Sequence, residues 1–536
     1  MSKTGLFHIV ISILIISASA ILYFPTIGYD IVWDDNELLN EEPMASGREH
    51  WSNAFSKPVD RLYRPFRTIS FQLTRKYTEV PAGHHAISAF LFSCTVICAY
   101  WFLYTLTGSG ILAALASFLY MLHPVQAEVV PWIMGGRANL MAGPLIFICL
   151  VFYLSARNQE NAGKRLMLLI LSALFFVAAL FSKESALITP LIIAALELTF
   201  PVDNRAGIGT RLKNIIVCSS PYLILGIAFF LIRTEVLRGT GQVSNYHGGS
   251  LYVTAASMLP ILTDYLRIIF LPVNLCAVYT PEIYQSPFSG APLLSLAGLA
   301  TVFAIGILTV RRRPLLSFAV FWFFICVLPS SNIIPIGAMK ANRFIYESTL
   351  SGCIIYALVI YELLKSDRVR AACRIAGIAI GIALAGLFLV NTVSFRNIWK
   401  DNHTLWAATV KCAPESEEAY NNLGITCYNK GNIQEATEAF ERARDLNPGF
   451  VRIRENLGQM YATQGRYEEA LAEFNAVYFY NPSPDIIVKI SLLYHKMGNR
   501  ELAALWLEKA LSRNETPEST KIILREKLKE LRKPDN

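Results

Sequence analysis

The sequence predicts an all-α protein in two parts: a polytopic helical membrane domain over residues 1–395 and an α-solenoid of short helical repeats over 396–536. Three observations predict it. Charged residues make up 16% of the chain and hydrophobic ones 54%, whereas a soluble domain carries about 25% charged residues. The charge deficit is confined to residues 1–395, where apolar runs of about twenty residues recur, long enough to cross a bilayer. Residues 396–536 are polar and repeat themselves at a spacing of 34.

The first span is expected near 5–25. Residues 5–29 contain no Asp, Glu, Lys or Arg. Lys3 and the stretch Ala18-Ser19-Ala20 imitate a cleaved leader, but the apolar run continues through Ile21, Leu22, Tyr23 and Phe24, so an uncleaved span is expected. Ten more follow, near 86–106, 110–122, 139–155, 166–182, 184–200, 214–232, 291–310, 315–330, 344–363 and 375–395.

Short loops rich in Lys and Arg stay cytoplasmic. Four fit: one with Arg157, Lys164 and Arg165; one with Arg205, Arg211 and Lys213; Arg311–Arg313; and one with Lys365, Arg368, Arg370 and Arg374. The acidic loop 26–85 then faces outward, and eleven spans carry the repeats to the periplasmic or luminal side. Residues 256–272 are interrupted by Asp264 and Arg267. A crossing there would turn Arg311–Arg313 outward, so an interfacial or re-entrant helix is expected.

The repeats align directly. Residues 421–448 and 455–482 match at Leu423/Leu457, Gly424/Gly458, Gly431/Gly465, Ala436/Ala470, Phe440/Phe474 and Pro448/Pro482. A half repeat precedes with Trp406 and Pro414, and a third follows with a one-residue slip at Gly498, Ala503 and Leu507. A period of 34 with small residues where paired helices touch is the tetratricopeptide pattern. Thr516 and Pro517 open a last helix by cap and first-position proline. The concave face of such an array binds peptide or protein. Most cysteines lie in apolar spans, where they are small core residues. Cys412 and Cys427 would form a bridge only on an oxidising side.

Ionisable side chains at the outward ends of spans are either snorkelling anchors or parts of a site. Five clusters stand there. Asp34 and Asp35 follow the first span, as catalytic carboxylates or as a helix cap for the residues after them. Arg64 and Arg67 lie in the same loop, with His84 and His85 at the mouth of the second span. His123, Glu128 and Arg137 lie between the third and fourth spans, beside Trp132. Lys183 and Glu184 form an outer turn. Lys340 and Arg343 precede the tenth span on the outer side, against the positive-inside trend, which points to an anionic ligand such as phosphate. Acids, phosphate-sized cations and a bundle able to hold a lipid tail fit transfer from a lipid-linked phosphosugar. The acid would take the proton of an incoming hydroxyl, with Asp34 taken ahead of Asp35, and the cations would hold the leaving phosphate.

The strings "VWDDNELL", "YRPFRTISF", "HPVQAEVV", "GRANLMAG", "SKESAL" and "RFIYES", followed by tetratricopeptide repeats, resemble the transmembrane-and-TPR-containing (TMTC) family. The resemblance implies a GT-C type glycosyltransferase related to protein O-mannosyltransferases. It implies inverting transfer from a polyprenyl-phosphate monosaccharide with the first-loop acid as base, which carries over to Asp34 and Asp35, while the basic residue before the tenth span carries over to Arg343. Asn342 stands where eukaryotic members have an acid. The expected partners are the lipid-linked sugar, membrane lipids and a protein or peptide acceptor at the repeat groove, with no nucleic acid. No metal or cofactor is expected, because the sequence holds no metal-ligand cluster. The expected location is a bacterial inner membrane or the endoplasmic reticulum. An oligosaccharide or O-antigen ligase would share the fold but take a lipid diphosphate, and a membrane-anchored scaffold would need no polar clusters at all.

Overall fold

The computed structural model describes residues 3–78, 80–203, 207–238, 244–365, 370–513 and 518–532. Arg205, Arg368, Thr516 and Pro517, which entered the readings of loop charge and of the last cap, lie outside the described residues. The chain divides into two compact units, Met1–Leu405 and Trp406–Asn536.

In the first unit the helices are α1 (Lys3–Tyr23), α2 (Pro65–Tyr77), α3 (Ala82–Thr107), α4 (Gly110–Leu122), α5 (Gln126–Val129), α6 (Ile133–Arg157), α7 (Ala162–Ser182), α8 (Thr189–Thr199), α9 (Ile208–Val236), α10 (Leu251–Phe270), α11 (Gly290–Thr309), α12 (Pro314–Val327), α13 (Thr349–Lys365) and α14 (Arg370–Ile398). Among the described residues eight helices are long and apolar enough to cross a membrane: α1, α3, α6, α7, α9, α10, α11 and α14. Four of the eleven expected spans are shorter than a full crossing. Gly110–Leu122 and Thr189–Thr199 are the shortest, and Pro314–Val327 and Thr349–Lys365 are intermediate. In all but Gly110–Leu122, whose helix fills its expected span, apolar residues beyond the helix belong to a turn or connection. The segment 184–188, for example, is a 3-10 turn leading into α8.

α10 is a single helix of 20 residues. Length and composition would let it cross, yet its bonds tie it to one connection. His247 bonds the Ile336 carbonyl, Asn332 reaches Met258, Asp264 pairs with Lys340, and Tyr265 bonds Ala341. The loop after it returns to the same connection through Tyr279 and Asn342. Asp264 is thus a paired carboxylate, which lowers the cost that an isolated charge would carry at a membrane.

α1 packs into the bundle. Ile15 and Tyr23 are fully buried, and Ser19 bonds Ser93 of α3 at 2.7 Å. The loop 24–64 is ordered by its own small core of Leu38, Leu39, Met44, Ala45, Ala54 and Val59, sealed by Phe71 of α2 and Ile133 of α6. α2 begins with proline at its first position, which suits a helix start, and clamps the loop through Gln72 to Met44 and through Arg75 to Leu39. The unit runs past residue 395, because α14 continues to Ile398 and Trp399 is buried against Trp132.

The second unit pairs α16 (Glu417–Asn429) with α17 (Ile433–Leu446), α18 (Val451–Thr463) with α19 (Tyr467–Tyr480) and α20 (Pro484–Lys496) with α21 (Arg500–Leu511), after α15 (Asn402–Cys412) and before α22 (Glu518–Leu531). The repeat spacing has a packing cause. A Cβ on Gly424 would stand 2.8 Å from the Phe440 ring, and one on Gly458 would stand 2.6 Å from the Phe474 ring. Gly431, Gly465 and Gly498 turn between paired helices at φ near +80° (82°, 77° and 81°), where a side chain would be strained. Gly498 therefore marks a true third repeat despite its slip. Cys427 is a free, buried thiol, so the Cys412–Cys427 bridge is not formed.

Candidate active site

The adjacent acids Asp34 and Asp35 part company. Asp35 is fully buried. Its Oδ1 accepts from the backbone N–H of Met134 at 2.7 Å, in the first turn of α6, and its Oδ2 accepts from Val32 N–H at 3.4 Å. It is a helix cap, but for α6 and not for the residues that follow it in sequence. Burial pushes its carboxyl up to about 8, with the Asp34 charge adding to the shift.

Asp34 stays half-buried, and its Oδ1 accepts from the Trp132 indole N–H at 3.0 Å. Burial pushes it up to about 6, against the pull of the Trp132 hydrogen bond and the Arg343 charge. That value suits a general base near neutrality. The preceding residue, Trp33, has a φ of +58°, a conformation uncommon outside glycine. It is held there by a stack of indoles: Trp33 lies 4.7 Å from Trp132 at 6° and 6.3 Å from Trp399 at 18°. Backbone held in such a conformation recurs at functional sites.

The Trp132 ring also carries a cation. The Arg343 guanidinium lies 4.6 Å from its centroid, an attraction of the cation–π kind. Arg343 pairs with Glu128 at 3.1 Å, and Glu128 is fully buried. Asn342 completes that carboxylate's shell, donating to Glu128 at 2.8 Å and to the Cys276 carbonyl at 2.8 Å. Burial raises Glu128, and Arg343 and Asn342 oppose the rise. So Asp34, Trp132, Arg343, Glu128 and Asn342 form one continuous set drawn from three segments of the chain.

A second set stands on α2 and the turn after α7. Arg64 grips Glu184 through two bonds of 2.8 and 2.6 Å. Arg67 is 1% exposed, and its Nε and one terminal nitrogen have no hydrogen-bond partner. Burial and the neighbouring Arg64 pull its guanidinium down to about 10, while Asp60, Glu184 and Asp34 offset part of that. Lys183 is pulled down by burial, with the Glu347 carboxylate the leading opposing charge. It also feels Arg64, Glu184 and Arg343, which joins the two sets electrostatically.

The remaining candidates lie outside these two sets. Arg137 is fully buried and donates to the His84 carbonyl at 2.9 Å and to Thr74 at 3.4 Å, fastening α6 to α3 and α2. His84 and His85 are buried beside Phe71 and Tyr29. His123 bonds the Ile269 carbonyl at 3.2 Å and accepts from Val125 N–H at 3.3 Å, and burial pulls it down to about 4. Lys340 is turned away to Asp264 at 2.6 Å and lies on the Tyr279 ring. Trp33 and Glu347 are not among the sequence-predicted site residues, although they lie in the strings "VWDDNELL" and "RFIYES", and Asn342 stood out only as the replacement of an acid. Among the described residues no three His, Cys, Asp or Glu side chains cluster as a metal site would require.

Comparisons with known proteins follow the two units. Residues 421–484 and 484–517 match family models described as tetratricopeptide repeat. The chain is 24% identical to the protein O-mannosyl-transferase F38B6.6 of Caenorhabditis elegans, over 82% of this chain and 63% of that one. It is 20% identical to the mouse (Mus musculus) protein O-mannosyl-transferase TMTC3, over 86% of this chain and 54% of that one, and 23% identical to human (Homo sapiens) TMTC4, over 75% and 62%. The chain thus spans between 54% and 63% of these relatives' lengths. Among solved structures, an Archaeoglobus fulgidus oligosaccharyltransferase tethered with an acceptor peptide aligns at a TM-score of 0.41 and 12% identity, over 80% of this chain and 58% of that one. The oligosaccharyltransferase AglB of the same organism, in complex with an inhibitory peptide and a dolichol-phosphate, aligns at 0.44 and 12%, over 74% and 56%. Both likenesses are too low to establish a shared fold. The sequence relatives and the repeat matches agree with the motifs: over most of its length the chain is similar to TMTC protein O-mannosyl-transferases, and its C-terminal unit carries tetratricopeptide repeats.

Proposed function

We propose that this chain is an integral-membrane glycosyltransferase of GT-C type, moving one sugar from a polyprenyl-phosphate donor to a hydroxyl acceptor on the periplasmic or luminal side. The observation that carries the reading is the Asp34–Trp132–Arg343 arrangement: a half-buried acid and a partly exposed cation on one indole. The names of its relatives support mannose as the sugar and a protein hydroxyl as the acceptor.

In this reading the acceptor oxygen attacks the sugar C1 from the face opposite the lipid phosphate. The C1–O bond to phosphate breaks and its electron pair leaves with the phosphate. Asp34 takes the hydroxyl proton, worth about 10²–10⁴-fold. Arg343, anchored by Glu128, faces the phosphate as its charge grows, and the unpartnered face of Arg67 is the second cation available to it. The repeats recruit the acceptor. The donor lipid is a substrate, and the step needs no metal or cofactor.

The test is turnover in lipid nanodiscs with polyprenyl-phosphate mannose, read as release of polyprenyl phosphate with a peptide acceptor present. Turnover of a polyprenyl-diphosphate sugar alone would overturn the reading in favour of a ligase-type enzyme. A reporter fused after Asn536 tests the outward placement of the repeats, and one active only in the cytoplasm would overturn it.

A further inference from the structure

Lys183 and Glu347 are opposite charges that act on each other without meeting. Lys183 leaves the end of α7 in an extended conformation (φ −157°, ψ 131°). Glu347 sits between the turn Asn342–Ile345 and α13. Each is the leading opposite charge on the other. Yet neither forms an ion pair among the described residues, although Arg64–Glu184 and Arg343–Glu128 beside them do.

Glu347 is 7% exposed, and its Oε1 has no hydrogen-bond partner. The adjoining side chains repeat the pattern. The Ser348 hydroxyl, and that of Ser185 near Lys183 in sequence, are buried without partners. Native proteins leave few buried polar atoms unsatisfied, and those left over call for an occupant.

The chemistry of the gap limits that occupant. An anion would meet the Glu347 carboxylate, and a cation would meet Lys183 with Arg64 and Arg343 behind it. A neutral group with several hydroxyls fits both sides: one hydroxyl oxygen accepts from the ammonium while a neighbouring hydroxyl donates to the carboxylate. Lys183 also lies within the field of Arg343, so such a group would stand next to the cation assigned to the lipid phosphate.

We propose that Lys183 and Glu347 frame a second subsite, which binds the hydroxyls of the sugar carried by the donor. It rests on the reading of the chain as a lipid-phosphate-dependent glycosyltransferase.

The experiment compares binding of polyprenyl phosphate with and without mannose to the full chain in nanodiscs, by native mass spectrometry. Wild-type protein should bind the mannosylated lipid more tightly. Lys183→Met and Glu347→Gln should each weaken the mannosylated lipid by about tenfold or more and leave the sugar-free lipid unchanged. Equal loss for both lipids would make the pair structural, and no loss for either would leave water as the occupant; each result overturns the subsite. If a variant fails to accumulate, Ser348→Ala decides on the same comparison, a reduced sugar increment supporting the proposal and an unchanged one overturning it. Wild-type protein that binds only the sugar-free lipid, or both equally, overturns the subsite alone. Wild-type protein that binds neither overturns the glycosyltransferase reading and the subsite with it.

Discussion

Trp132 donates its indole N–H to Asp34 Oδ1 at 3.0 Å, while the backbone two residues further on claims Asp35. One short segment at the start of α6 therefore sorts two adjacent acids into different jobs. Asn replaces a capping Asp with almost no loss. Asp35→Asn should keep both folding and sugar transfer, whereas Asp34→Asn should fold, bind donor and lose about a hundredfold or more in turnover. Transfer rates of the two variants, measured side by side, check this. Equal rates would end the distinction.

The pH dependence of transfer should follow Asp34. The base acts as the carboxylate, so kcat/KM should fall as pH drops through about 6, the value to which burial raises Asp34. Trp132→Phe removes a hydrogen bond that favours the ionised form. The acid limb of that variant should move to higher pH, which a pH–rate profile reads directly.

Asp35 should shape stability rather than rate. Its folded value, about 8, lies above the unfolded carboxylate value of about 3.9. Its contribution to stability is therefore fully present below the unfolded value and is lost as pH rises through the folded one. The wild-type protein should melt at a lower temperature at pH 9 than at pH 6 in detergent, and Asp35→Asn should reduce that difference.

Arg343→Ala alone would strand the buried Glu128 carboxylate, and breaking such a pair costs about 3–5 kcal/mol. The double variant Arg343→Ala with Glu128→Gln should recover much of the folding but not the donor affinity. Loss of a charge-assisted contact, about 1.5–3 kcal/mol, corresponds to roughly tenfold or more. Donor affinity restored along with folding would remove Arg343 from the phosphate.

In the repeat unit, Gly458→Ala places a methyl carbon 2.6 Å from the Phe474 ring. Overpacking of this kind costs about 1–3 kcal/mol. Limited proteolysis should cut the repeat unit of the variant sooner than that of the wild-type chain, while the membrane unit survives unchanged.

The repeats and the membrane character were legible in the sequence because their causes are local. Gly424 faces Phe440 sixteen positions on, in the next helix, and the same pair returns as Gly458 and Phe474, which shows as a period. A membrane helix must be apolar along its own length. The site was legible only as a pool of charged residues near span ends. Asp34 and Asp35 are neighbours of one residue type, and what separates them is Trp132 and Met134, 98 and 99 positions away. Arg343 and Lys340 read alike as outward cations, yet Glu128 holds one beside Asp34 and Asp264 draws the other off. Arg137 and His123 share the chemistry of site residues, but both are buried and bonded to backbone carbonyls of distant segments. Residue type and spacing along one segment determined which groups could do chemistry. The tertiary structure decided which of them stand together, because burial and hydrogen-bond partners come from segments distant in the chain, and these set both the charge a side chain holds and whether it is free to meet a substrate.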